Sequence, residues 1–156
     1  MNANIVEKAN QIIKSCGAAY LAVLDESGSP HVSAVSNIGA EDIFQAYFAI
    51  GTEGNKYRRL KRDNRASVSF RASATNITLT GITEIVTEQE TKNRLWQDGF
   101  INHFPLGPTD PTYCIIKFIT KRVSFWIDNE SAEFTIDELL TVQSYCGLVC
   151  TGCMGE

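Results

Sequence analysis

Ile77-Thr-Leu-Thr-Gly-Ile-Thr-Glu-Ile-Val86 is a run of strand-forming residues interrupted once, at Gly81. Side chains of this kind fit a pleated, half-buried surface. Just upstream, Ala66, Val68 and Phe70 alternate with Ser67, Ser69 and Arg71. That period of two predicts a strand with one buried face. Downstream, Thr87-Glu-Gln-Glu90 has the pattern of a capping box, which predicts a helix from there to about Asp98. A loop rich in Pro and Gly occupies 99–112. Cys114 to Ile127 is the last long strand region, with a hairpin bend expected near Thr120-Lys121, and Phe134 to Val142 is expected to form a short helix.

Toward the N-terminus, Ile5, Val6, Ala9, Ile12 and Ile13 fall on one face of a helix over 3–15. The period then changes. Ala18 to Leu24 is a short apolar run closed by Asp25-Glu-Ser-Gly-Ser-Pro30, and His31 to Ser36 resumes it, so 18–36 reads as a hairpin. Ile43 to Ile50 is a third strand. Strands therefore dominate, mostly through short connections, which favours antiparallel pairing over a parallel crossover sheet. The pattern predicts a small barrel with peripheral helices.

The 156 residues suit one domain with a real core, and 44% hydrophobic with 21% charged residues is ordinary globular composition. A net charge of −4 argues against a nucleic-acid partner, which needs a basic surface. No apolar run approaches membrane-spanning length. The start, Met1-Asn-Ala-Asn-Ile-Val-Glu-Lys8, lacks a charged head followed by an apolar stretch, so no secretion signal is read there. The expectation is a cytoplasmic protein with no membrane partner. The five cysteines are odd in number and cannot all pair within one chain.

One loop carries chemistry. Gly51-Thr52-Glu53-Gly54-Asn55-Lys56 leads from a strand into a basic stretch of helical composition that includes Arg58, Arg59, Lys61 and Arg62. Glycines let the backbone approach an anion, helix N-terminal N–H groups point at it, and Lys56 adds charge. The alternative is a plain turn followed by a solvated helix face. The spacing is not that of a Walker loop, and no Gly-x-Ser-x-Gly or His-Glu-x-x-His occurs. His31 and His103 have no partner in sequence that would make them catalytic. Trp96, Phe100, Phe104, Phe125 and Trp126 serve either as core or as walls for a flat ligand.

Two longer stretches bear a resemblance. Leu79-Thr-Gly-Ile-Thr-Glu-Ile-Val-Thr-Glu-Gln-Glu-Thr-Lys-Asn-Arg-Leu-Trp96 is one. Phe104-Pro-Leu-Gly-Pro-Thr-Asp-Pro-Thr-Tyr-Cys-Ile-Ile-Lys-Phe118, with Phe125-Trp126 beyond it, is the other. Together with the Tyr20–Ser36 hairpin and the segment from Thr52 through Lys56 to Phe70, they resemble the pyridoxamine 5′-phosphate oxidase-like flavoproteins over roughly 5–128, and within them the general-stress-protein type. The resemblance implies a mainly β fold, a six-stranded antiparallel split β-barrel (Greek key) with peripheral α-helices, over a domain of 1–142. It implies FMN bound at the subunit interface of a homodimer. Lys56, Asn55 and the Ile50-Gly51-Thr52 turn would hold the phosphate. Ser33, Ala34, Val35 and Ser36 would lie on the strand whose backbone meets the ring, and Asn76 and Trp126 would lie beside it.

The departures shape the expected activity. Pyridoxamine phosphate oxidases carry an Arg-x-x-Arg-Leu-His-like segment soon after that Trp, whereas this chain reads Ile127-Asp-Asn-Glu-Ser-Ala-Glu-Phe134. An acidic segment repels a substrate phosphate. Ser33 also stands where many oxidases place an Arg toward FMN. The expected activity is therefore flavin-linked electron transfer with a reduced nicotinamide donor, not vitamin B6 oxidation. Such chemistry resides in the cofactor and needs no side-chain acid or base. The alternative is a non-catalytic sensor or stress protein that holds a flavin, haem or metal.

Beyond the resemblance, residues 143–156 form a tail with Cys146-Gly-Leu-Val-Cys150-Thr-Gly-Cys153. Cys146, Cys150 and Cys153 offer three ligands where a structural zinc takes four, and closely spaced cysteines also hold iron–sulfur clusters. A thiol redox pair at Cys150 and Cys153, or an inert tail, are the other readings.

Overall fold

The computed structural model describes residues 3–40 and 42–141. The elements run α1 (Ala3–Ser15), β1 (Ala18–Leu24), β2 (Pro30–Asn37), β3 (Gln45–Gly51), α2 (Asn55–Arg62), β4 (Arg65–Ala72), β5 (Thr75–Val86), α3 (Gln89–Arg94), β6 (Tyr113–Ile127) and β7 (Glu130–Thr135). Short 3-10 turns at Asp98–Asn102 and Gly107–Thr109 shape the loop before β6. Residues 136–141 are helical.

All strand pairs are antiparallel, in the order β3-β2-β1-β4-β5-β6-β7, and β3 also pairs with β6. That last pairing closes a six-stranded barrel, with β7 as an extra strand on β6. The β3-β2-β1-β4 order is a Greek key, since β4 returns by way of α2 to lie beside β1. Inward positions of every barrel strand fill one core, which includes Leu21, Phe48, Val68, Phe70, Leu79 and Phe118. The apolar stripe of α1 closes one side through Ala9 and Ile13, both fully buried. A second, smaller cluster forms outside the barrel, where Leu95, Tyr113 and Ile115 pack with Trp96, Phe100 and Phe104.

Gly81 sits at the tightest point of the barrel wall. Across from it β6 holds one extra residue: Thr80 faces Arg122 and Gly81 faces Thr120, leaving Lys121 as a bulge. A Cβ at position 81 would lie 2.0 Å from the Ile119 carbonyl oxygen, so only glycine fits. Strand side chains alternate faces, so one extra residue inverts the phase. Phe118 and Thr120 face the core before the bulge; Val123, Phe125 and Ile127 face it after.

Three expectations need correction. The residues near Thr120-Lys121 make this bulge within one continuous strand, not a hairpin bend. The helix after β5 spans only Gln89–Arg94, with Glu88 and not Thr87 at its cap and no side-chain capping bond. The reason is that β5 keeps pairing with β6 as far as Val86, which holds Thr87 at the strand's end. The helix stops early because Leu95 and Trp96 turn in to pack around Tyr113. A reciprocal capping box occurs elsewhere. The Thr135 amide donates to Glu138 Oε2 at 2.7 Å and the Glu138 amide donates to Thr135 Oγ1 at 3.3 Å, where residues 136–141 begin their helix. The acidic stretch after Trp126 contains β7, which the sequence reading missed. Asp128 and Asn129, both at positive φ, make the tight turn into it. The expected boundary at 142/143 lies outside the described residues.

Candidate functional site

The barrel is split between β2 and β3. These strands share a ladder at Ser36–Ala49 and Asn37–Phe48, and backbone bonds of Tyr47 with Ile38 and Gly39 continue it past the end of β2. Continuing that register would set Val35 against Ile50 and Ala34 against Gly51, but the strands diverge there and open a cleft of about 670 Å³. A diverging strand leaves backbone N–H and C=O groups without ladder partners. The Ala34 carbonyl is one of them, and it accepts a hydrogen bond from Lys56 Nζ at 2.9 Å.

One end of the cleft is the start of α2. Its N-cap is Gly54, no side chain caps it, and no acidic residue lies in its first turn. The N–H groups of that turn therefore remain available to an anion. Lys56 and Arg59 border the cleft from the same helix, and Glu53 borders it from the preceding turn. Burial holds the Lys56 pKa below the usual lysine value. The Asn55 side chain is engaged by the Arg58 guanidinium. The turn is pinned from behind by the Thr52 amide, which donates to the Thr112 carbonyl at 2.9 Å.

The opposite wall is aromatic. Phe100, His103 and Phe104 border the cleft, and Phe104 backs onto Tyr113 at 5.1 Å between ring centres. The loop that carries them is held by Asp110. Its buried carboxylate accepts from the Thr112 amide at 2.9 Å, the Thr112 hydroxyl at 2.7 Å and the Leu106 amide at 3.1 Å. These bonds, the Thr112 hydroxyl first, lower its pKa.

Of the residues expected at a site, Ser33 to Ser36 on β2, Ile50 and Gly51 on β3, and Asn55 and Lys56 on α2 all border this cleft. Thr52, in the same turn, does not line it. Asn76 and Trp126 lie elsewhere, facing each other across β5 and β6 on the barrel exterior. Asn76 is engaged there by Ser69 and Thr78, at 2.8 and 3.1 Å. Trp126 is 45% exposed, and the exterior also presents Tyr20 at 59% and Val32 at 61%. The sequence reading did not assign Arg59, His31, Phe100 or His103 to the cleft, although the basic run after Lys56 was a signal for Arg59.

Cys146, Cys150 and Cys153 lie outside the described residues. Among the described residues, no cluster of three metal-ligating side chains occurs, and Cys16 and Cys114 are free thiols. No helix among them is long and apolar enough to cross a membrane.

A family model described as pyridoxamine 5′-phosphate oxidase matches residues 5–127. No curated protein sequence matches significantly. Among solved structures, a Clostridium acetobutylicum protein related to general stress protein 26 of Bacillus subtilis (pyridoxinephosphate oxidase family) superposes with a TM-score of 0.80 at 23% identity, over 89% of this chain and 99% of that one. General stress protein 26 of Bacillus anthracis gives 0.72 at 21% identity, over 84% and 99%. A heme binding protein of Mycobacterium smegmatis gives 0.70 at 19% identity, over 86% of this chain and 59% of that one. At these identities the likeness is one of fold.

Proposed function

The chain belongs to the pyridoxamine 5′-phosphate oxidase family, and we propose that it is an FMN-binding oxidoreductase that links a reduced nicotinamide donor to a further electron acceptor. The observation that carries this reading is the cleft at the β2–β3 split. It joins a cationic helix start, a free strand edge and an aromatic wall. That donor set fits a phosphorylated flat ring. The phosphate suits Lys56 and the first-turn amides of α2, the ring edge suits the unladdered backbone around Ala34, and Phe100 and Phe104 exclude water from the ring.

When bound, FMN would supply hydride acceptance and onward electron transfer. The chain's own residues hold and orient it. Lys56 would exchange its bond with the Ala34 carbonyl for the phosphate, leaving that carbonyl free toward the ring. Vitamin B6 oxidation is disfavoured by the region after Trp126, where Asp128, Glu130 and Glu133 crowd the β6–β7 turn and β7. The cations beside them, Lys8 and Arg122, are held by Asp128 and Glu133, so they neutralise those two acids but offer a substrate phosphate no ready partner, and Glu130 adds repulsion.

Asn76 and Trp126 would serve a cofactor only from a second copy of the chain. The exposed Tyr20, Val32 and Trp126 on the sheet exterior support a homodimer whose partner brings them to this cleft. A second reading, a binder without turnover, is supported by His31 and His103, which place imidazoles at the cleft where a haem could take one.

The test is an absorption spectrum of anaerobically purified protein, followed by FMN addition and NADH or NADPH oxidation assays. A flavin spectrum or FMN fluorescence quenching, with nicotinamide-driven reduction, is the expected result. An intense Soret band, or flavin binding without reduction, would replace it with the second reading.

A further inference from the structure

Arg59 follows Lys56 by three residues on α2, the spacing that sets two side chains on one helix face. Its side chain is only 14% exposed, against 46% for Arg62 and 70% for Arg65. A guanidinium withdrawn from water needs a well-fitted anion. Arg59 has a poor one. Its Nε lies 3.4 Å from Glu26 Oε1 and its terminal nitrogen 3.5 Å from Oε2. By contrast, Arg65 closes on Asp63 at 2.7 Å and 3.0 Å. Glu26 is itself 69% exposed and is shared with Arg62 at 3.7 Å. Lys56, one turn away, is bonded to a neutral carbonyl. Two cations thus border one cleft, and among the described residues neither has a close anionic partner.

We propose that Arg59 is a second phosphate ligand of this cleft, clamping a phosphomonoester together with Lys56, and that Glu26 is the counter-ion the phosphate displaces. The inference rests on the anion-binding end of the function proposed above. A phosphomonoester carries about −1.5 to −2 charge near neutrality, which two cations match. The guanidinium supplies a planar fork for two phosphate oxygens and the ammonium supplies a point charge. Glu53, on the same rim, makes the second cation matter more, because a carboxylate there weakens the hold of Lys56 alone. The clamp makes the cleft select phosphorylated over unphosphorylated forms of one ring system.

The intact chain and its Arg59→Gln, Arg59→Lys, Lys56→Gln and Glu26→Gln variants would be titrated with FMN and with riboflavin by fluorescence quenching, and with inorganic phosphate by thermal shift. Arg59→Gln should weaken FMN about tenfold, the loss of one charge-assisted fork, and leave riboflavin unchanged. Arg59→Lys should recover part of the loss. Glu26→Gln, at an exposed position that folding tolerates, should tighten FMN by up to about fivefold, the worth of a surface ion pair. Equal loss of FMN and riboflavin, no loss of either, or weaker FMN binding by Glu26→Gln would overturn the clamp while leaving the flavin reading intact. A phosphate-induced shift that depends on Arg59, in a protein that binds no flavin, would support the clamp and remove the flavin. If neither flavin nor phosphate binds, both readings fall.

Discussion

Replacing Gly81 with alanine tests the closure of the barrel. The added Cβ would lie 2.0 Å from the Ile119 carbonyl oxygen, 3.0 Å from the carbonyl carbon and 3.1 Å from Thr120 Cα. Ordinary carbon–oxygen contact begins near 3.3 Å, so β6 must retreat by roughly 1.3 Å. The obstacles are backbone atoms in a paired ladder and cannot rotate away. Overpacking of this kind costs ~1–3 kcal/mol, and rigid obstacles put this case toward the upper end. The reduced freedom of the unfolded chain returns about 0.4–1 kcal/mol. The net expectation is a loss of about 2 kcal/mol, or a Tm lower by roughly 4–8 °C for a chain of this size. Thermal melts followed by circular dichroism would measure it. Gly17→Ala and Gly99→Ala, where a Cβ meets nothing within 4 Å, are the controls. They should stay within about 0.5 kcal/mol of the unsubstituted protein. If Gly81→Ala melts within about 2 °C of the parent while the controls hold, the Lys121 bulge yields cheaply and steric closure is not what requires glycine.

Three further outcomes follow from single contacts. The Arg65 guanidinium and amide hold the Asp63 carboxyl down from 3.8 to about 2. A depressed carboxyl contributes stability above its unfolded pKa and loses it as pH falls through the folded one. Asp63→Asn should therefore lower the urea midpoint slightly at pH 6, with a gap that closes between about pH 4 and 2; a gap independent of pH refutes the pairing. The Tyr113 hydroxyl is buried and has no hydrogen-bond partner among the described residues, and burial pushes its pKa to about 12. Tyr113→Phe should be neutral or stabilising by up to about 1 kcal/mol, and a loss larger than that in a thermal melt would show that the hydroxyl has a partner. Trp126→Ala should change stability of the single chain by less than about 1 kcal/mol, because the ring is half exposed, yet lower the mass seen in sedimentation. An unchanged mass would remove this face from the proposed dimer contact.

Much of the fold is local and legible. The alternation of Ala66, Val68 and Phe70 with polar neighbours appears as the inward face of β4, and the stripe of α1 packs where its period predicts. The Gly51–Lys56 loop is legible for the same reason, since glycine, helix start and lysine are contiguous in the chain. β7 was legible in principle, because Asp128-Asn129 suits a turn with two positive φ angles. Its charged composition hid it, as an edge strand facing water can carry acids on its outer side.

Other features depend on pairings between distant segments. Whether β2 and β3 zip together or part is set by the closure of six strands, and neither strand's residues encode it. The fit of Arg59 to Glu26 depends on how α2 lies over the β1–β2 turn. Trp126 shows the limit most clearly. Strand period alone, carried forward from Phe118 and Thr120, would turn Trp126 into the core. The extra residue at Lys121, accommodated only because Gly81 lies opposite, inverts the phase and sends the ring to the outer face, beside Asn76 and away from its own chain's cleft.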